Sequence, residues 1–123
     1  MRILLIDDEP TVTEDLNFYL AVDAHTTENL NFVGSRDELI ALLEDFKPEG
    51  VTLDFDMKPS GETLYGWIRS WSQKVVIIFY TKYAKSPLHQ SQMRDVGALP
   101  EHIVAKGEAA IDAPKLLKAL RRG

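Results

Sequence analysis

What most restricts the fold of this chain is an alternation. Five short apolar runs, at Arg2–Ile6, Leu30–Val33, Gly50–Phe55, Val75–Tyr80 and His102–Ala105, are separated by stretches whose apolar residues recur at helical spacing. Continuous apolar runs rich in β-branched residues are the pattern of strands buried on both faces. The first helix is expected from about Pro10 to Leu20, with proline in its first turn and Val12, Leu16, Tyr19 and Leu20 on one side. Residues 21–29 have no clear period and read as a loop. Ser35 with Glu38 forms a capping-box pattern ahead of Leu39, Ile40, Leu42, Leu43 and Phe46, and Lys47-Pro48 ends that helix. A third helix spans Glu62–Trp71. A thinly apolar fourth opens at Ser86-Pro87 and stops at Gly97. The last is expected to be capped by Asp112, with Pro114 in its first turn and Leu116, Leu117 and Leu120 facing inward. Strands joined by helical crossovers run parallel with right-handed connections, so every strand ends on the same edge of one sheet.

That edge carries Asp7-Asp8, Gly34, Asp54, Thr81 and Lys106. The run from Val51 reaches a carboxylate at Asp54 and a second at Asp56, then turns through Lys58-Pro59-Ser60-Gly61. A buried strand surfacing at a carboxylate and entering a loop is where open α/β sheets place their chemistry. Singly, each residue has an ordinary explanation: acids that favour a helix start, a strand reaching water, a solvated lysine. Jointly they are the set that metal-assisted phosphoryl chemistry requires. Carboxylates gathered at one edge repel one another unless a cation sits between them. Mg²⁺ suits them, being content with one or two carboxylates, waters and phosphate oxygens. A carboxylate beside such a metal can attack phosphorus and form an acyl phosphate, while Lys106 neutralises charge on the transferred group. The Thr81 hydroxyl can donate to the new phosphoryl oxygen, converting a charge change into a loop movement.

Composition narrows the alternatives. At 123 residues, with a net charge of -5 and no basic block, the chain is expected to be one domain over 1–123 that does not bind nucleic acid directly. Cysteine is absent, which excludes disulfides and thiolate metal sites. The apolar amino terminus turns acidic after Ile6, too soon for a signal peptide or membrane span, so the expected location is cytoplasmic. His25, His89 and His102 lack ligand spacing, and Trp67 and Trp71, one helical turn apart, read as packing residues.

The opening Met-Arg-Ile-Leu-Leu-Ile-Asp-Asp-Glu-Pro, together with Asp54, Thr81 and Lys106 at successive strand ends, resembles the response-regulator receiver domains of two-component signalling, and the resemblance covers the whole chain. It implies a flavodoxin-like (βα)5 doubly wound α/β sheet of five parallel strands in the order 2-1-3-4-5. It implies that Asp7 and Asp8 are the acidic metal-binding pair and Asp54 the phosphoacceptor and metal ligand. Asp56 would offer its backbone carbonyl to Mg²⁺, Thr81 would be the switch hydroxyl and Lys106 the lysine of the site. The implied partners are a histidine kinase or phosphotransfer protein and a downstream effector or an output domain outside these residues. A homodimer through the fourth helix, fifth strand and fifth helix is a further implied contact, and the implied chemistry stops at self-phosphorylation and autodephosphorylation of Asp54.

Several positions depart from the family pattern. Pro59 comes one residue later and Gly61 one earlier than is usual after the acceptor aspartate, so the loop is recut. Lys82 follows the switch hydroxyl where a small residue is usual. Gly107 follows the lysine in place of proline, and Ile103 stands where an aromatic rotamer switch is common, with His102 beside it. These departures motivate a second reading, a degenerate receiver that acts as a phosphorylation-independent interaction module. A third comes from Leu53-Asp54-Phe55-Asp56, which resembles the first motif of haloacid-dehalogenase-type phosphatases, with Asp54 as nucleophile and Asp56 as general acid.

Overall fold

The computed structural model describes all residues 1–123. Five parallel strands, β1 (Arg2–Ile6), β2 (Thr26–Leu30), β3 (Gly50–Leu53), β4 (Val76–Thr81) and β5 (Ile103–Ala105), form one sheet in the order β2-β1-β3-β4-β5. Between and after them lie α1 (Pro10–Val22), α2 (Arg36–Phe46), α3 (Gly61–Trp71), α4 (Pro87–Asp95) and α5 (Ala109–Arg122), with a single 3₁₀ turn at Pro100–His102. The alternation gave the five βα units, and the doubly wound order is the one the family resemblance implied.

The three central strands, β1, β3 and β4, are largely apolar because both of their faces are covered. Leu4 and Ile6 of β1, Val51 and Leu53 of β3, and Ile77 and Phe79 of β4 pack with Leu39, Leu43, Leu64, Ile68 and Met93 of α2, α3 and α4. The alternate residues Ile3, Leu5, Ile78 and Tyr80 pack with Leu16 and Leu20 of α1 and Leu116, Leu117 and Leu120 of α5. The period of two along each strand thus feeds two separate cores. Trp67 and Trp71 lie against the first of these, as packing residues. Ser35 accepts from the Glu38 N–H at 3.2 Å, the side-chain cap expected for α2.

Two expectations need correction. The second strand is Thr26–Leu30, within the segment read as a loop, and Leu30–Val33 is not a strand. As an edge strand pairing only with β1, it is partly open on both faces and needs no apolar run. The apolar signal downstream has another origin: Val33 is buried in the core, while the Asn31 side chain leaves the sheet to donate to the Asp7 carbonyl at 2.8 Å and to Thr13 Oγ1 at 2.9 Å. The last helix begins at Ala109, so Pro114 lies inside it and Asp112 is not its cap. The fourth helix exists despite its thin stripe, with Met93 its one buried residue. No helix is long and apolar enough to cross a membrane.

Candidate functional site

Register brings the site together. Ile6 pairs with Leu53, Leu53 with Phe79, and Thr81 with Ala105. The residues that follow, Asp7, Asp54 and Lys106, therefore emerge at one edge, close to Thr81. Backbone bonds extend the ladder to that edge: the Asp54 N–H donates to the Ile6 carbonyl at 3.0 Å and the Lys106 N–H to the Thr81 carbonyl at 2.9 Å.

Carboxylate oxygens of Asp7, Asp8 and Asp54 lie within 4.8 Å of one another. Asp7 and Asp54 are buried and Asp8 is exposed. Lys106 Nζ donates to Asp7 Oδ2 at 2.6 Å and stands 3.5 Å from Asp54 Oδ1. With its side chain 13% exposed, that ammonium is the one cation paired with this group of acids. Burial is the main force on Asp54, which is 4% exposed; the Lys106 charge opposes it and the Asp7 and Asp8 charges add to it, and the carboxyl is pushed up to about 6. Burial pulls Lys106 down, but its hydrogen bond with Asp7 and the charges of Asp54 and Asp7 outweigh this and hold it above the ordinary lysine range. One ammonium against three carboxylates leaves the cluster short of positive charge. The residues present therefore fit a hard divalent cation such as Mg²⁺, with Asp7, Asp8 and Asp54 as its carboxylate ligands.

Thr81 is fully buried at the end of β4, and its Oγ1 accepts from the Tyr83 N–H at 3.1 Å, which leaves the hydroxyl proton for another acceptor. Asp56 is exposed and stands outside the group of three acids. Lys82 is exposed, with its ammonium 5.3 Å from the centre of the Tyr83 ring. Ile103 is a half-buried aliphatic in β5, and burial lowers the pKa of the neighbouring His102.

The recut loop folds back over the strand end. The Gly61 N–H donates to the Phe55 carbonyl at 2.9 Å, and a Cβ at Gly61 would lie 2.6 Å from Phe55 Cα and 2.8 Å from the Asp54 carbonyl oxygen. These are backbone atoms that cannot swing aside. Gly61→Ala is accordingly expected to lower stability by about 1–3 kcal/mol through overpacking. Urea denaturation checks it, and an unchanged midpoint would contradict the close approach.

Sequence reasoning missed two participants. Asp112, expected as a cap, is buried, and its Oδ2 accepts from Tyr80 Oη at 2.5 Å and from the Gly107 N–H at 2.7 Å. Tyr80 read only as core, although a tyrosine in the most apolar run needs a partner for its hydroxyl, and that need was the available signal.

No protein-family model and no curated protein sequence matches the chain. Solved structures do match in fold. The Vibrio cholerae chemotaxis protein CheY4 is 19% identical, with 98% of this chain and 96% of that chain covered and a TM-score of 0.77. The response regulator domain of Thermotoga maritima CheB is 17% identical over 99% and 94% of the two chains, with a TM-score of 0.76. The non-phosphorylated HemR receiver domain from Leptospira biflexa is 21% identical over 97% and 93%, also with a TM-score of 0.76. At these identities the likeness is one of fold: a five-stranded parallel sheet of the receiver type, wound as in response regulators.

Proposed function

We propose that this chain is a phosphorylatable signalling switch whose Asp54 accepts a phosphoryl group from a histidine kinase or phosphotransfer protein. The observation that carries the reading is the buried Asp54 beside Asp7, Asp8 and the Lys106 ammonium, at the end of a central parallel strand. Asp7, Asp8 and Asp54 would hold Mg²⁺ by their carboxylates, with Asp56 contributing its backbone carbonyl. When bound, the metal supplies charge neutralisation for the incoming phosphate. An Asp54 carboxylate oxygen forms the new bond to phosphorus as the donor's N–P bond breaks, and the departing nitrogen keeps the electron pair and takes a proton. Lys106, released in part from Asp7, pairs with a phosphoryl oxygen, and Thr81 donates its free hydroxyl proton to another.

Output would be a protein–protein contact, with an effector protein or an output domain as the recipient. The fourth helix, fifth strand and fifth helix are the proposed face for that contact, and for a homodimer. The phosphatase reading loses ground on Asp56, which is exposed and apart from the acids it would assist. The degenerate-module reading loses ground because acids, hydroxyl and ammonium all survive.

Incubation with phosphoramidate and Mg²⁺, followed by intact-mass measurement, tests the proposal. One phosphoryl group should be gained, chelation should prevent the gain, and Asp54→Asn should remove it. No added mass on the unmutated protein, or full uptake by Asp54→Asn, would overturn the reading.

A further inference from the structure

We infer that Asp112 is a positioning residue for Lys106, holding the Lys106–Gly107 turn by the backbone N–H of Gly107 and fixing the Tyr80 ring beneath the lysine. The inference deepens the phosphoryl-accepting reading and rests on it for its kinetic readout.

Asp112 is 3% exposed and forms no ion pair, since the chain's ion pairs are those of Lys106 with Asp7 and Asp54. A carboxyl buried without a cation is costly unless hydrogen bonds satisfy it. Here both donors meet one oxygen, with Tyr80 Oη at 2.5 Å and the Gly107 N at 2.7 Å from Oδ2. Helix capping does not explain this placement. The Asp112 N–H donates to the carbonyl of Glu108, the residue that precedes α5, while the side chain reaches Tyr80 in β4 and Gly107 in the turn after β5.

Both donors adjoin the site. Gly107 directly follows Lys106, and Tyr80 directly precedes Thr81. The Lys106 ammonium lies 5.8 Å from the centre of the Tyr80 ring, within the range of a cation–π attraction. Lysine carries its charge on a flexible stem, and glycine leaves the following backbone permissive. The Thr81 carbonyl holds the Lys106 N–H on the strand side, and on the far side the one side chain that bonds the backbone of this turn is Asp112, through the Gly107 N–H. That bond exists because residue 107 has an N–H; a proline there would offer none. Asp112 thus ties the lysine's backbone and the ring under its ammonium to a single buried oxygen on α5.

The test compares Asp112→Ala, Asp112→Asn and Tyr80→Phe in the full chain. Phosphoryl uptake from phosphoramidate at saturating Mg²⁺ should slow about tenfold or more in Asp112→Ala, as misplacement of a reacting partner predicts. Mg²⁺ affinity, measured by calorimetry, should not fall, because the carboxylates that would bind it are untouched and lose none of their charge. Asp112→Asn keeps an oxygen that accepts from both donors and should recover most of the rate. Should Asp112→Ala fail to fold, Tyr80→Phe, which removes one donor, should show the same split between uptake and affinity at smaller size. An unchanged rate, a parallel fall in rate and Mg²⁺ affinity, or an asparagine variant as slow as alanine would each overturn the inference. The Lys106 ammonium ¹⁵N signal decides the matter without any phosphoryl transfer. It should move toward that of a solvated lysine in Asp112→Ala and return in Asp112→Asn. If the unmutated protein takes up no phosphoryl group while this signal moves, the phosphoryl reading fails and the positioning role stands. If the signal does not move, the positioning role falls.

Discussion

Asp54→Asn is expected to make the protein more stable at neutral pH, not less. Asp54 has its pKa raised from 3.8 to about 6, chiefly by burial, and Lys106 offsets only part of that penalty. Between these two values the native protein holds a proton that the unfolded chain has released. Stability is therefore fully present below about pH 4, declines as pH rises through about 6, and stays lower above it. A shift of this size corresponds to about 3 kcal/mol. Asparagine has nothing to ionise but buries an amide in its place, so a net gain of about 2 kcal/mol is expected at neutral pH. For a chain of this length that is a rise in Tm of about 5–10 °C. The gain should be lost by about pH 4, where Asp54 is already protonated in the native state and only the cost of the buried amide remains. Millimolar Mg²⁺ should raise the Tm of the unmutated protein more than that of the variant, because the cation offsets the charge of the buried Asp54 carboxylate, which the variant lacks. Thermal melts over pH and Mg²⁺ check all three statements. A variant less stable than the parent at neutral pH would mean that Lys106 over-compensates the burial of Asp54.

Lys106→Met is expected to have the larger and opposite effect. Its ammonium sits 2.6 Å from Asp7 and 3.5 Å from Asp54, and both carboxyls are nearly inaccessible to solvent. Removing one partner of a buried ion pair leaves charge uncompensated, at a cost of about 3–5 kcal/mol. Two buried acids then face each other without a cation, so Asp54 takes up its proton at higher pH than in the parent. The loss should accordingly be greatest at about pH 8 and smaller at about pH 5, where Asp54 is neutral. In an Asp54→Asn background the same change should cost less, because one of the two charges has gone. Urea denaturation of the four proteins of that cycle, at both pH values, measures the coupling. An equal loss at both pH values and in both backgrounds would show that Lys106 acts by packing alone.

Much of this arrangement was legible in the residue order. Strands buried on both faces write themselves as apolar runs, and the acids, hydroxyl and lysine stand directly after them at Asp7, Asp54, Thr81 and Lys106. Parallel connectivity then dictates that they share an edge. The edge strand was illegible for the opposite reason. Thr26–Leu30 is half-open on both faces and carries no apolar pattern, while the residue that does the nearby structural work, Asn31, sits in the run that resembled a strand. Asp112 was misread because an aspartate ahead of a helical stripe looks like a cap in one dimension. Its true partners, Tyr80 and Gly107, are assigned only once β4, β5 and α5 are packed. Local pattern announces elements and strand ends; it does not announce which buried acid answers which donor across the fold.

The central claim is that Asp54, alone among the clustered acids, takes the phosphoryl group. It is tested most directly by treating the protein with phosphoramidate and Mg²⁺, reducing the acyl phosphate with borohydride, and locating the resulting alcohol by peptide mass spectrometry. The expected result is a single modified residue at Asp54, absent when Mg²⁺ is chelated. Modification at Asp7, Asp8 or Asp56 instead, or none at any carboxylate, would contradict the account.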